Sequence, residues 1–356
     1  MRIVVVGHSS QTLAPLAAEL ADYDASWRVR PVPDPHAAIA TVANDGADVV
    51  VAGLQDGSGP ALFEALRGSH PQVTRLLLLD VHEHVVPLGT LESAHRLLDR
   101  PLQGDQLIDA VESLVQLREL FGDAALHSVA GQVEPLTARA KSNPELLCAL
   151  DDPGSAPAQI ARLIAKDPVL AAKVLRLCNS ACFCGGRAVT DLRCAVLRLG
   201  TPTLRRLVMA NEVLSLASNE DAERDPIRRR ARVAAQLASR LLGGSCAELA
   251  ATASLLSEVG RLLPSTRAGG AEPHYAATGA YLLGLWGLPM AIVEGVAHHH
   301  QPQRSRTRGF WVSGAVHVAR ALAANEPVDE DYLASVSMLD RLPRWRAMAE
   351  ELAEAC

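Results

Sequence analysis

The chain has 356 residues, 49% of them hydrophobic and 21% charged, with a formal net charge of −6. That length favours two domains, and that apolar share supports packed cores and excludes a disordered chain. Aromatic residues are only 3% and there is no basic excess, so neither a nucleic-acid-binding body nor a base-stacking platform is expected.

The charge is uneven. Residues 1–120 carry 8 Arg against 16 Asp or Glu, a net of −8, whereas residues 121–356 carry 26 Lys or Arg against 24 acids, a net of +2. No apolar run approaches the roughly 18 residues that span a bilayer. Met1–Gly7 reads as a strand rather than a signal sequence. The seven cysteines (148, 178, 182, 184, 194, 246, 356) are odd in number and scattered, as thiols in a reducing compartment are. A cytoplasmic protein without membrane insertion is therefore expected. Cys182 and Cys184 stand too close for a zinc knuckle, and no second pair lies near.

In the first 120 residues, short apolar runs (Ile3–Val6, Trp27–Val32, Asp48–Ala52, Arg75–Leu79, His95–Leu98) alternate with helical patterns near 11–22, 35–44, 59–68, 84–93 and 103–120. This βα rhythm predicts a five-stranded parallel sheet with helices on both faces. Unbroken runs such as Val49-Val50-Val51 suit strands buried on both sides. Gly7-His8-Ser9-Ser10 after the first strand lacks the further glycines of a dinucleotide fingerprint. Periodicity then lapses over 121–134, which predicts a linker.

Beyond the linker the patterns are helical. Asp167-Pro168 reads as an N-cap followed by proline at the first helical position, with Leu170, Val174, Leu177 and Cys178 on one face. Asp225-Pro226 repeats that start signal, and the acidic 220–225 stretch leads into the basic run Arg228–Arg232. The tail, 306–356, shows helix patterns over 312–324 and 329–339, with Trp345 and Met348 available to pack it down. It carries no evident chemistry.

The five βα units, over about 1–120, resemble the receiver domain of bacterial response regulators. That resemblance implies an acidic pair holding magnesium, a phosphoacceptor aspartate, a hydroxyl residue and a lysine. Here those positions fall on Gly7 and His8, on Gly53, on Leu79 and on Arg100. Magnesium requires hard oxygen ligands, which Gly7, His8 and Gly53 do not offer. Arg100 keeps a cation but is a different donor from lysine. Asp56 and Asp80 lie near in sequence, but Asp56 falls in a loop with Gly57 and Gly59, which suits turn duty rather than a displaced substitute. The expectation is a pseudo-receiver that is not phosphorylated on aspartate.

Asp167-Pro168-Val169-Leu170 through Asn179-Ser180, then Ala195–Gly200, Gly279–Leu283, Trp286-Gly287-Leu288-Pro289 and His299-His300-Gln301-Pro302, resemble the HDOD domain of bacterial signalling proteins, an all-α relative of HD phosphohydrolases. The organisation expected is a receiver-like domain at 1–120, a linker at 121–134, an HDOD core at 135–305 and a helical extension at 306–356. HD enzymes bind one or two metals through histidines and a His-Asp pair, and the metal activates water. The resemblance places the His-Asp pair on Ser257 and Glu258, and two other histidine positions on Arg230 and Tyr275. His298-His299-His300 survives, but three consecutive helical residues point about 100° apart and do not face one metal. Glu258, His274, His299 and His300 are what a rebuilt site would use.

The resemblance thus implies a non-catalytic adaptor in signal transduction, without cofactor or metal. It would act through protein–protein interaction with signalling partners, the acidic N-terminal domain docking one and the helical domain another. Two alternatives stand beside it. One is a metal-dependent phosphohydrolase acting on a nucleotide or cyclic dinucleotide. The other is a nucleotide-binding sensor without hydrolysis, using Arg228–Arg232 for phosphate.

Overall fold

Strand β1 (Arg2–Val6) pairs in parallel with β2 (Arg28–Val32) on one side and β3 (Val49–Gly53) on the other; β4 (Thr74–Asp80) and β5 (Arg96–Arg100) complete the sheet in the order β2-β1-β3-β4-β5. The computed structural model describes residues 1–53, 58–80, 93–122, 144–180, 183, 188–215, 221–263 and 272–355, with backbone alone at 58, 80, 210–215, 221–224, 272–274 and 355. Helices α1 (Ser10–Tyr23), α2 (Pro35–Asp45), α3 (Ser58–Ser69) and α4 (Gly104–Leu120) connect or follow these strands. The order is that of an open doubly wound sheet of the flavodoxin type. It follows from strands that read as solid apolar blocks: Val49, Val50 and Val51 are fully buried, as are Leu76 and Leu77 beside them. Ser9 and Asp34 set the helix starts, accepting the N–H groups of Thr12 and Ala37 at 3.1 and 2.8 Å. The helix expected near 84–93, Asp56 and most of the 121–134 linker lie outside the described residues.

The chain forms two compact units, one built mainly on residues 1–135 and the other mainly on residues 136–178, 188–283 and 288–356. The second contains α5 (Pro144–Asp151), α6 (Pro157–Ile164), α7 (Pro168–Cys178), α8 (Leu192–Ser215), α9 (Asp221–Leu241) and α10 (Ser245–Leu256). Then come α11 (Glu272–Leu285), α12 (Met290–Ala297), α13 (Val312–Ala323), α14 (Glu330–Ser335) and α15 (Leu342–Ala355). Among the described residues, none of these helices is long and apolar enough to cross a membrane.

Asp167 caps α7 as its sequence suggests, accepting the Val169 N–H at 2.8 Å, with Pro168 the first helical residue. Asp225-Pro226 does not start a helix: α9 begins a turn earlier, at Asp221, and runs through Pro226. A proline this near a helix start forfeits about one backbone hydrogen bond, so the turn before it survives. Gly200 breaks α8 with φ 71° and ψ 160°, a conformation for which glycine pays no side-chain penalty.

The tail is part of the helical core. Val318, Ala319, Leu333, Trp345 and Leu352 share one buried cluster with Val233, Leu237 and Ala250. Trp345, 4% exposed, stacks on Phe310 at 5.1 Å. Truncating such a side chain costs about 3–5 kcal/mol.

Candidate functional site

Parallel strands bring their carboxyl ends to one edge, so the receiver-type positions gather there. Gly7 follows β1 with φ 75° and donates its N–H to the Val32 carbonyl at 2.9 Å. The ring Nδ1 of His8 meets the Val6 carbonyl at 3.0 Å, a local turn contact. Gly53 ends β3, Leu79 is buried near the end of β4, and Arg100 closes β5 opposite Asp80. None of Gly7, His8, Gly53 and Leu79 carries a carboxylate or hydroxyl at this edge. Asp80 ends β4 there, and its side chain lies outside the described residues.

The helical unit holds a second polar centre. A glycine pair lets its walls approach. A Cβ on Gly260 would stand 2.0 Å from the Tyr275 carbonyl oxygen, and one on Gly279 would stand 2.8 Å from the Gly260 nitrogen. The short 3-10 turn Val259–Leu262 therefore lies directly on α11, which sets Glu258 and Arg261 beside Tyr275.

Glu258 is 2% exposed, and both its carboxylate oxygens are engaged. Arg230 of α9 donates from Nε at 3.2 Å and from Nη2 at 3.4 Å. The Nε atoms of Arg261 and Arg320 lie 3.4 and 3.9 Å from Oε1. Arg320, itself buried on α13, forks onto Glu326 with one arm at 2.7 Å. One carboxylate thus faces three guanidinium groups, a second balances one of them, and Coulomb attraction is strengthened by the dry surroundings. Ser257, the other member of the expected pair, donates its hydroxyl to the Ser254 carbonyl at 2.8 Å.

Tyr275 continues the network. The Arg261 guanidinium lies 4.1 Å above its ring, and its hydroxyl lies 3.0 Å from His299 Nε2 and 2.8 Å from His300 Nε2. Burial raises the tyrosine pKa and, with His300 next to it, holds that of His299 well below the imidazole range. The proton positions follow from acceptor-only partners. The Val296 carbonyl, 2.6 Å from His299 Nδ1, requires the proton there. His299 Nε2 then accepts the Tyr275 O–H, and His300 Nε2–H donates to the same oxygen. His317 repeats the arrangement: its Nδ1–H donates to the His299 carbonyl at 2.7 Å and its Nε2 accepts the Asp329 N–H at 2.9 Å. Burial keeps it neutral too, lowering its pKa.

These donors do not fit a metal. A ligating imidazole must present a free lone pair and a ligating carboxylate a free oxygen. His299 gives its lone pair to Tyr275, and Glu258 gives its oxygens to arginines that would also repel a cation. Among the described residues, no three His, Cys, Asp or Glu side chains are grouped to hold a metal. His274 sits on the backbone of α11, and its side chain lies outside those residues. Three of the four arginines in the basic run expected to bind phosphate have partners within the chain: Arg228 is buried against Asp167 (3.8 Å) and Asp225 (3.2 Å), Arg229 bonds the Ala353 carbonyl at 3.0 Å, and Arg230 holds Glu258.

Arg261, His317, Arg320 and Glu326 are the members that the sequence reading missed, and three of them belong to the tail said to carry no chemistry. A signal was present. Ser313, His317 and Arg320 interrupt the otherwise apolar Val312–Ala321 stretch at helical spacing, so all three lie on one face. The remaining resemblance positions hold local structure. Asn179 and Ser180 end α7, Trp286 is buried, Gly287 adopts φ 81°, and Pro289 precedes α12.

Residues 139–269 match the HDOD domain. Among solved structures, the chain is similar to the MmoQ response regulator of Methylococcus capsulatus strain Bath, at 20% identity and a TM-score of 0.46, over 60% of this chain and 98% of that one. A fragment of the same regulator gives 20% identity and a TM-score of 0.42, over 60% of this chain and 91% of the fragment. An HDOD domain protein from Geobacter sulfurreducens gives 19% identity and a TM-score of 0.29, over 69% and 95%. The search of curated proteins found no match.

Proposed function

From an HDOD domain at residues 139–269, preceded by a receiver-type sheet, we propose that the chain is a non-catalytic signal-transduction adaptor that works through protein–protein recognition. The observation that carries this reading is the saturation of Glu258. At the one acidic position that the HD pattern leaves, Arg230, Arg261 and Arg320 supply the positive charge that a metal would bring. A guanidinium neutralises a carboxylate but cannot lower the pKa of a bound water to generate hydroxide, which is the metal's contribution to phosphoester hydrolysis. The sheet edge supports the same reading, because the aligned positions Gly7, His8 and Gly53 supply no oxygen for magnesium or phosphoryl transfer. What remains for selection is surface: an acidic first domain and a near-neutral helical one, each suited to a different signalling protein.

Elemental analysis of protein purified without chelator, paired with a manganese-supplemented hydrolysis assay on nucleotides and cyclic dinucleotides, tests the proposal. The expected result is below about a tenth of an equivalent of any transition metal and no turnover, because both donor types are occupied. About one equivalent or more, lost in Glu258→Gln or His299→Ala together with hydrolysis, would replace the adaptor with a phosphohydrolase.

A further inference from the structure

The last turn of α9 and the start of α15 enclose a cavity of about 360 Å³, lined by Arg240, Leu241, Arg341, Arg344, Trp345 and Met348. The three arginines are exposed, while Leu241 and Trp345 are buried and Met348 is half-buried. The cavity therefore offers cations at its mouth and apolar surface at its base. Two other exposed arginines of this unit are paired with acids: Arg205 with Asp151 at 2.7 Å and Arg346 with Glu330 at 3.0 Å. Arg240, Arg341 and Arg344 have no carboxylate partner among the described residues, and no acid lines the cavity.

Like charges held around one concavity repel, and the repulsion is relieved when a multiply charged anion sits between them. Guanidinium groups present flat forks of N–H donors that fit a phosphoryl group's oxygens two at a time, and three such forks exceed what a single carboxylate accepts. The volume lies at the low end of the range for small-molecule sites, roughly 300–1,000 Å³. It suits a compact body and is small for a dinucleotide. We propose that this cavity is a recognition site for a small phosphomonoester whose phosphoryl group meets Arg240, Arg341 and Arg344 and whose apolar or aromatic body lies toward Leu241, Trp345 and Met348. Two of the three arginines come from the segment beyond residue 305, so that segment would give the helical unit a ligand site of its own. The proposal is independent of the adaptor reading, since it uses none of the residues around Glu258.

The full chain, titrated with phenyl phosphate at fixed ionic strength, tests it by tryptophan fluorescence and by thermal shift. Saturable binding is expected, with phenol and potassium chloride inert and inorganic phosphate weaker. Arg341→Gln/Arg344→Gln is expected to lose tenfold or more in affinity while its ligand-free melting temperature stays within about 2 °C, as for other exposed substitutions. Arg240→Gln provides the same readout should the double variant not fold. A response matched by potassium chloride, or a loss smaller than tenfold in a folded double variant or, failing that, in Arg240→Gln, overturns the proposal.

Discussion

The two polar sites expected from the sequence differ in what occupies the expected positions. At the sheet edge, Gly7, Gly53 and Leu79 put no carboxylate or hydroxyl at the expected positions. In the helical unit, Arg230, Tyr275 and Glu258 form a closed network with Arg261, Arg320, His299 and His317. The difference follows from burial. Loops at a sheet edge lie beside water, which solvates whatever remains, so charged groups there can be dropped at little cost. Glu258 and His299 are 2% and 1% exposed, and there each polar atom needs a partner, because an unpaired buried charge costs several kcal/mol. In the core the expected positions are occupied by partnered polar groups, whereas at the edge Gly7 and Gly53 bring no side chain that needs one.

The sharpest way to break this comparison is Glu258→Gln. It leaves three guanidinium groups around a neutral amide, and removing one partner of a buried pair costs about 3–5 kcal/mol. Arg230 and Arg261 are 32% and 25% exposed along their side chains, so solvent recovers part of that, and about 3 kcal/mol is expected by urea denaturation. A loss below about 1 kcal/mol would show that the arginines do not depend on Glu258, and the contrast with the edge would go with it.

Acid titration comes next. Burial holds His299 and His317 below the ordinary imidazole pKa of 6.5. As pH falls past about 6.5 the unfolded chain takes up protons that the folded one refuses, so stability drops; above about pH 7 both states are neutral and stability is flat. Two such groups should cost about 2 kcal/mol between pH 7 and 5.5, seen as a lower urea midpoint. A midpoint unchanged over that range would mean that the imidazoles titrate freely and the centre is wet.

Tyr275→Phe removes the donor to His299 Nε2 and should cost about 1–2 kcal/mol, because the ring remains while a buried acceptor loses its partner. At the other site, His8→Ala should shift stability by no more than about 0.5 kcal/mol. If it instead matched the tyrosine variant, the sheet edge would prove to hold a partnered polar group as well.

Much of this was legible in the sequence, for reasons that differ by element. The sheet could be read because strands buried on both faces announce themselves, as Val49–Val51 does, and Asp167-Pro168 because an N-cap is a local interaction. Asp225-Pro226 misled because a proline near a helix start is tolerated on either side of the first turn, and nothing local says which. The resemblance singled out Ser257, Glu258, Arg230 and Tyr275, but not the partners that the structure gives them. Arg320 lies 62 residues from Glu258 in the chain, and only the packing of α13 on α10 and α12 brings it there. Ser313, His317 and Arg320 on one face of α13 were a signal of buried polar contacts that the sequence analysis did not use.

His317 joins the His299 carbonyl to the Asp329 N–H, and so ties the surviving histidine turn to the first residues of α14. A piece ending at residue 305, where the resemblance fades, would lack this tie, Arg320's contribution to Glu258 and most of the cluster around Leu237. The unit that can be transplanted into another protein, or inherited as a whole, therefore extends through α15.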